Sequence, residues 1–271
     1  MKTSALKTYT RSLFCQEVSG STITLHYTLK DPSAYGIKDT PVTYGACSTD
    51  TSAICASVEN ALALLQSYDR KELSSKNKLT YDVLEDYLSS SVKEAKFSLY
   101  DEPLAPLTGT QSQLPVLLSE YQFYDVSDVD TYLKLLSKTP EYFQSIIEFE
   151  KAKSEAGLFM ASYSADDIMK ECQAFIDMGD ENYLYSSFEE RLKSLKTDRG
   201  RAGVLHREER FRHQRIYLSL LQPVKKVAWL PCAPAARIIT DCAICQRGVN
   251  TMKTSLQAKP APAVRSPSFS S

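Results

Sequence analysis

The chain has 271 residues, 43% of them hydrophobic and 24% charged, which is the composition of an ordinary soluble globular protein. No apolar run approaches the about 18 residues of a transmembrane helix, and no apolar stretch follows the basic residues at the amino end. The sequence therefore predicts neither a membrane span nor a signal peptide, with a cytoplasmic location as the default. Seven cysteines without regular spacing favour free thiols over a disulfide framework.

Charge divides the chain near Thr197. Residues 198–271 hold 13 of the 32 basic and 4 of the 33 acidic side chains, which gives +9 there and −10 in residues 1–197. Nine of those 13 cations are arginine, whereas lysine dominates before the division. We expect residues 1–197 to form a helical domain. Residues 198–271 are expected to be a disordered basic tail, because like charges with Pro- and Ser-rich sequence bury little apolar surface.

The first patterned segment, residues 21–29 ("STITLHYTL"), alternates apolar and other side chains. This is the period of a small β element, although a segment so short is also compatible with a helix, and both alternatives stay open. His26 lies in this segment without a catalytic partner beside it. We interpret it as a hydrogen-bonded structural histidine.

Two later segments, residues 54–68 and 79–95, repeat apolar residues at steps of three and four. This spacing places them on one face of a helix and predicts that the face packs in the core. The second stripe consists of Leu79, Val83, Leu84, Tyr87, Leu88, Val92 and Ala95.

Capping residues predict the next two helices. Thr139 precedes Pro140, which is the order of an N-cap and a first helical residue, and Gly157 is a suitable stop. Ser164 followed by Asp167 resembles a capping box that opens another helix. The predicted fold class is therefore mainly α, a helical bundle or helical array.

A segment of unusual composition, residues 102–123, interrupts the helical pattern and is called the ribbon below. No charged side chain occurs between Glu102 and Glu120, and three prolines and Gly109 punctuate it. The simplest interpretation is an irregular connection that packs over the core through its leucines. These are Leu104, Leu107, Leu114, Leu117 and Leu118.

Catalytic and metal-binding motifs are missing from the sequence. The histidines are His26, His206 and His213, and none belongs to an H-E-x-x-H helix. Arginines surround His206 and His213, and the pair Cys242 and Cys245, with Cys232 upstream, lacks a fourth zinc ligand. No nucleophile elbow, phosphate-binding loop or dinucleotide fingerprint occurs either. The sequence thus predicts no catalytic residue, metal ligand or cofactor in this chain.

Four stretches together resemble the bacterial family known as domain of unknown function 885. They are residues 23–37, 79–88 ("LTYDVLEDYL"), 102–123 and 132–160, within a resemblance that runs from about Leu13 to Leu195. Members of that family look like helical zinc metallopeptidases of the gluzincin type, with H-E-x-x-H in the carboxyl-terminal half. The resemblance implies that this chain is a truncated member, inactive alone, and that zinc and peptide substrates belong to full-length relatives.

The same resemblance gives the ribbon a second interpretation, as a wall of a substrate cleft. Gly109 would permit close approach of a backbone, and Gln111 or Gln113 would supply amide hydrogen bonds. We favour the connecting role, because apolar spacing is enough to explain the leucines.

Three further hypotheses concern the chain as a whole. The helical part could be a noncatalytic scaffold for a protein partner. The basic tail, with Phe211, Tyr217 and Trp229, could bind nucleic acid, although no nucleic-acid fold motif supports this and we disfavour it. Finally, the abrupt change of composition indicates that the tail from about Asp198 is translated from a shifted reading frame.

Overall fold

The structure, a computed structural model, describes residues 2–195 together with Leu205, Arg207 and Glu208. It is helical, and these residues include no strand. The histidines and cysteines discussed above from His206 onward lie outside them. No helix in this described part is long and apolar enough to cross a membrane. The helices are α1 (Lys2–Ser19), α2 (Thr22–Thr28), α3 (Thr51–Gln66), α4 (Ser75–Ala95), α5 (Thr110–Glu120), α6 (Val126–Glu155), α7 (Ser162–Asp177) and α8 (Tyr183–Ser194).

Two hydrophobic cores hold these helices. A smaller core joins α1 to the hairpin of α3 and α4, and consists of Leu6, Tyr9, Leu65, Leu73, Tyr81 and Leu88. A larger core surrounds α6, which contributes more of its members than any other helix, and α5, α7 and α8 pack around it. Among its fully buried side chains are Leu118, Tyr132, Leu135, Phe143 and Phe188. The mainly α prediction is confirmed.

Residues 22–28 form the helix α2, so the strand alternative for residues 21–29 is wrong. Ile23 and Leu25 are buried, whereas Tyr27 is exposed and its hydroxyl donates to the Leu117 carbonyl at 2.9 Å. Seven residues are too few for the apolar pattern to distinguish the two periods. Contacts with the extended segment after α2, where the Thr22 amide donates to the Thr43 carbonyl at 2.8 Å, accompany the helix.

The apolar stripe predicted on α4 lies only partly in the core. Tyr81, Leu88 and Ala95 are buried. Leu79, Val83 and Tyr87 are 67%, 59% and 63% exposed, so the expectation that they pack in the core is wrong. The helix packs against α3 on one side, and in the described part of the chain nothing covers the face that carries these three residues. The described residues thus leave an apolar stripe exposed on α4.

Helix α6 begins 14 residues earlier than the Thr139–Pro140 pattern indicates. Asp125 is its N-cap, and Asp128 completes a capping box by accepting from the Asp125 amide at 3.1 Å. Thr139 is instead buried in the middle of the helix, where its hydroxyl lies 3.2 Å from that of Tyr44. The Thr-Pro pair alone does not distinguish a helix start from a helix interior. The apolar residues before Thr139, which are buried on the same helix, show that the pair lies in the interior.

The predicted end of α6 is confirmed. Gly157 follows the helix with φ of 72°, a left-handed conformation that favours glycine. The prediction for α7 is wrong by three residues, since its N-cap is Ala161 and not Ser164, and Ala161 has no capping side chain. Ser164 therefore lies inside the first turn.

Candidate functional site

The ribbon is more regular than the sequence indicates, because half of it is the helix α5. Pro115 lies inside this helix, and a turn of residues 103–109 precedes it. Leu104, Leu114 and Leu118 are buried, as the packing interpretation requires. Leu107 and Leu117 are exposed, by 75% and 36%, so the prediction that they pack over the core is wrong.

A buried lysine holds the start of the ribbon. The ammonium of Lys153, from α6, is fully buried, donates to the Asp101 carbonyl at 2.7 Å and pairs with Glu102 at 2.9 Å. An unpaired ammonium in this position would cost several kcal/mol, so these two contacts are what make its burial tolerable. Lys153 thereby fixes the position at which the chain leaves residues 98–100 and enters the ribbon.

A carboxylate from α7 holds the middle of the ribbon. Glu171 accepts from the Leu107 amide at 2.9 Å, from the Gln111 side chain at 3.0 Å and from the Ser112 hydroxyl at 2.8 Å. Gln113 adds a bond from its side-chain amide to the Leu107 carbonyl at 2.7 Å. Leu107 is bound on both sides, which accounts for its left-handed φ of 64°, a conformation that costs a non-glycine residue free energy.

An arginine from α8 holds the end of the ribbon. Arg191 donates to the Tyr121 carbonyl at 2.6 Å, and its guanidinium lies over the rings of Phe123 and Tyr132, at 4.5 and 5.1 Å from their centroids. Between Glu102 and Glu120 the ribbon therefore needs no charge of its own, because α6, α7 and α8 supply the charged groups that bind it.

Gly109 is required by the tightness of the turn before α5. A Cβ at this position would lie 2.2 Å from the Ala105 backbone nitrogen and 2.6 Å from its carbonyl oxygen, distances that real Cβ atoms do not adopt. The side-chain amide oxygen of Gln111, Oε1, would also lie 2.2 Å away. The close backbone approach expected at Gly109 exists, and its partner is the chain's own residue 105.

The structure separates the two glutamines predicted for the site. Gln111 is buried, and its amide donates to the Ala105 carbonyl at 2.6 Å as well as to Glu171. Gln113 is exposed and lines a cavity of about 240 Å³ together with Tyr44 and Tyr142. That these residues line a substrate cleft stays a prediction.

A second cavity, of about 430 Å³, adjoins the start of the ribbon. One wall comes from residues 100–106 and the other from residues 157–164, the segment that joins α6 to α7. Glu102, the partner of Lys153, lies in this wall. The cavity thus borders the buried charged group at the ribbon's start.

Glu150 is a second buried charged residue at this place, and its environment is unusual. It is fully buried, and neither carboxylate oxygen makes a well-formed hydrogen bond with the described residues. The pKa of Glu150 is raised to about 7, chiefly by burial. The positive charge of Lys153 and the Leu104 amide lower this pKa, whereas the negative charge of Glu102 raises it. Such a carboxyl group changes its protonation near neutral pH.

Sequence reasoning did not single out Glu150 or Lys153, although a pattern was available. Both continue the inward-facing positions of α6 that Phe143 and Ile146 begin, at steps of four and three. Ionisable residues in register with an apolar stripe indicate a buried charge, which is rare unless paired.

His26 packs in the structure by stacking its ring on that of Tyr121, and not through a hydrogen bond as the sequence interpretation expects. Its ring lies 3.8 Å from that of Tyr121, with 13° between the planes. Burial lowers the pKa of His26, while Asp128 opposes this. Its Nε2 is buried and has no hydrogen-bond partner in the described part, so the expected hydrogen bond is not what holds it. Across residues 2–195, with Leu205, Arg207 and Glu208, no group of three His, Cys, Asp or Glu side chains is arranged to hold a metal ion.

A family model described as "Bacterial protein of unknown function (DUF885)" matches residues 48–215, more than half of the chain. The chain belongs to this family. Searches among curated proteins and among solved structures give no match. The DUF885 match begins later than the resemblance noted at Leu13, and it continues past Leu195 to residue 215. It includes the whole ribbon, the three charged residues that hold it and Glu150.

We expect the substitution Glu171→Gln to lower the free energy of unfolding by about 2 kcal/mol, because one of the two acceptor oxygens becomes a donor that faces donors. The measurement is urea unfolding followed by circular dichroism. Glu148→Gln is the matched control, since Glu148 is exposed on α6 and accepts a hydrogen bond from the Gln144 side chain on the same helix. Equal stability of the two variants would contradict the role given to Glu171.

Proposed function

We propose that this chain is the helical, noncatalytic part of a zinc-metallopeptidase-like DUF885 protein. The observation that carries the proposal is the family match over residues 48–215 in a chain whose 271 residues contain no H-E-x-x-H. In this proposal the helices and the ribbon support one side of a peptide-binding cleft, and the zinc-binding helix belongs to a part of the family fold that this sequence does not contain.

The way in which the ribbon is held supports this proposal. A cleft wall must keep its shape when a substrate binds, and preorganised groups act best on rigid supports. Lys153, Glu171 and Arg191 bind the ribbon at its start, middle and end. Gln113 belongs to the ribbon and lines the cavity beside Tyr44 and Tyr142, where an extended peptide could reach its side chain.

The proposal predicts that the purified chain neither hydrolyses peptides nor retains zinc in stoichiometric amount. Without the H-E-x-x-H helix, no pair of imidazoles holds the ion that would activate water. The measurements are elemental analysis of the protein after dialysis and an assay with a pool of fluorogenic peptides. One tightly held zinc per chain, together with peptidase activity that a chelator removes, would overturn the proposal.

We further propose that the final part of the chain is translated from a shifted reading frame. Residues 216–271 support this, because they hold seven basic side chains and one acidic side chain. The excess of arginine does not, because six of the nine arginines after Thr197 lie at or before residue 215. Because the family match reaches residue 215, the shift is expected beyond that residue and not at Asp198. Translation of the other two frames downstream of the codon for Arg215 should give an amphipathic continuation with H-E-x-x-H. If neither frame does, the basic tail is authentic.

The exposed stripe of Leu79, Val83 and Tyr87 favours a second candidate function, a helical scaffold that binds a protein partner. The three residues are spaced by four and lie on one face of α4. If this face is an interface, replacement of all three residues by serine should lower the sedimentation coefficient of the complex that the chain forms with its protein partner. An unchanged sedimentation coefficient would exclude this face as the interface.

A further inference from the structure

The cavity beside the start of the ribbon has the features of a small binding site. Its volume of about 430 Å³ lies in the range of pockets that hold small ligands, about 300–1,000 Å³. Leu104, Phe159 and Met160, all buried residues, give it apolar walls. A ligand for this cavity therefore needs an apolar group of the size of one or two side chains.

Two polar residues, Tyr100 and Glu102, line the same cavity. The hydroxyl of Tyr100 is buried and has no hydrogen-bond partner in the part of the chain that is described. Glu102 keeps 51% of its side chain exposed, although it pairs with Lys153 at 2.9 Å. A buried hydroxyl without a partner costs free energy, and a ligand that binds it recovers part of that cost.

The charge around the cavity is acidic. Asp101, Glu102 and Glu150 surround the single ammonium of Lys153, and burial raises the pKa of Asp101 while Lys153 opposes this. No lysine or arginine lies among the described residues that line the cavity. The excess of carboxylates favours a cation over an anion at this place.

We propose that this cavity binds the protonated amino end of an apolar peptide. The ammonium group would donate to Glu102 and to the Tyr100 hydroxyl, and the first side chain would lie between Leu104, Phe159 and Met160. The choice of a peptide as ligand rests on the proposed function. The chemistry itself, an ammonium group on an apolar body, is shared with simple aliphatic amines.

The test is a calorimetric titration of the full chain with three probes: leucyl-leucinamide, its N-acetylated form and n-hexylamine. We expect leucyl-leucinamide to bind at least about tenfold more tightly than the acetylated form, because a charge-assisted hydrogen bond is worth about 1.5–3 kcal/mol. Hexylamine should bind less tightly than the dipeptide amide. Equal affinity of the free and acetylated dipeptides, or no binding of any probe at millimolar concentration, would overturn the proposal.

Two variants locate the binding. Tyr100→Phe removes only the hydroxyl and should weaken binding of leucyl-leucinamide about fivefold. Tyr124→Phe is its control, since Tyr124 is exposed and lines a different cavity. Glu102→Gln should abolish the preference for the free amine, with circular dichroism to verify the fold. An unchanged preference in folded Glu102→Gln would contradict the site.

The outcomes are separate from those of the proposed function. Binding is measured without zinc and without hydrolysis, so zinc content or peptidase activity does not enter it. Hexylamine binding as tightly as the dipeptide amide would overturn the peptide as ligand and leave the peptidase-like proposal to its own test.

Discussion

The substitution Gly109→Ala is expected to destabilise the chain by about 3 kcal/mol or more. The added Cβ would lie within 2.6 Å of the backbone nitrogen and the carbonyl oxygen of Ala105, and backbone cannot move aside as a flexible side chain can. Relief of the contact would open the turn that starts α5 and lose the bond from Gln111 to the Ala105 carbonyl. Urea unfolding at neutral pH measures the change.

A second glycine separates this effect from ordinary loss of glycine flexibility. Gly36 has φ of 80°, yet nothing lies within 4 Å of a Cβ built there. Gly36→Ala should therefore cost only the strain of a left-handed residue, about 1–2 kcal/mol. If the two variants are equally stable, steric contact with residue 105 is not what requires Gly109.

The substitution Glu150→Gln is expected to stabilise the chain at pH 8 and to have little effect near pH 4. The folded pKa, about 7, lies above the reference value of 4.5, so the folded state favours the protonated form. Stability from this group is fully present below pH 4.5 and is lost as the pH rises through 7. At about 1.4 kcal/mol for each tenfold change in proton affinity, the loss by pH 8 is about 3 kcal/mol.

Glutamine keeps the shape of Glu150 and carries no charge, so the variant should show a flatter dependence of stability on pH than the natural chain. The measurement is the free energy of unfolding at pH 4, 6 and 8 in urea. Glu148→Gln, on the exposed face of the same helix, should keep the natural dependence. Parallel curves for the natural chain and Glu150→Gln would show that Glu150 does not titrate near neutrality.

The residues of the ribbon were predictable from sequence as a group, but their partners were not. Its lack of charge and its prolines and Gly109 distinguish it, and Gly109 does permit a close backbone contact. The contacts with Lys153, Glu171 and Arg191 join residues separated by 51 to 70 positions along the chain. No local pattern encodes such pairs, because the sequence around each of these charged residues has the composition of an ordinary helix.

The helical class, the stop at Gly157 and the family resemblance followed from the sequence by itself, because apolar period, capping chemistry and stretches of composition are local properties. Tertiary structure decided the rest. It made residues 22–28 a helix, extended α6 through Thr139 and Pro140, and left Leu79, Val83 and Tyr87 exposed. It also buried Glu150 beside Lys153. Each of these outcomes depends on which surfaces meet, and burial, desolvation and pKa are properties of that meeting and not of the residues alone.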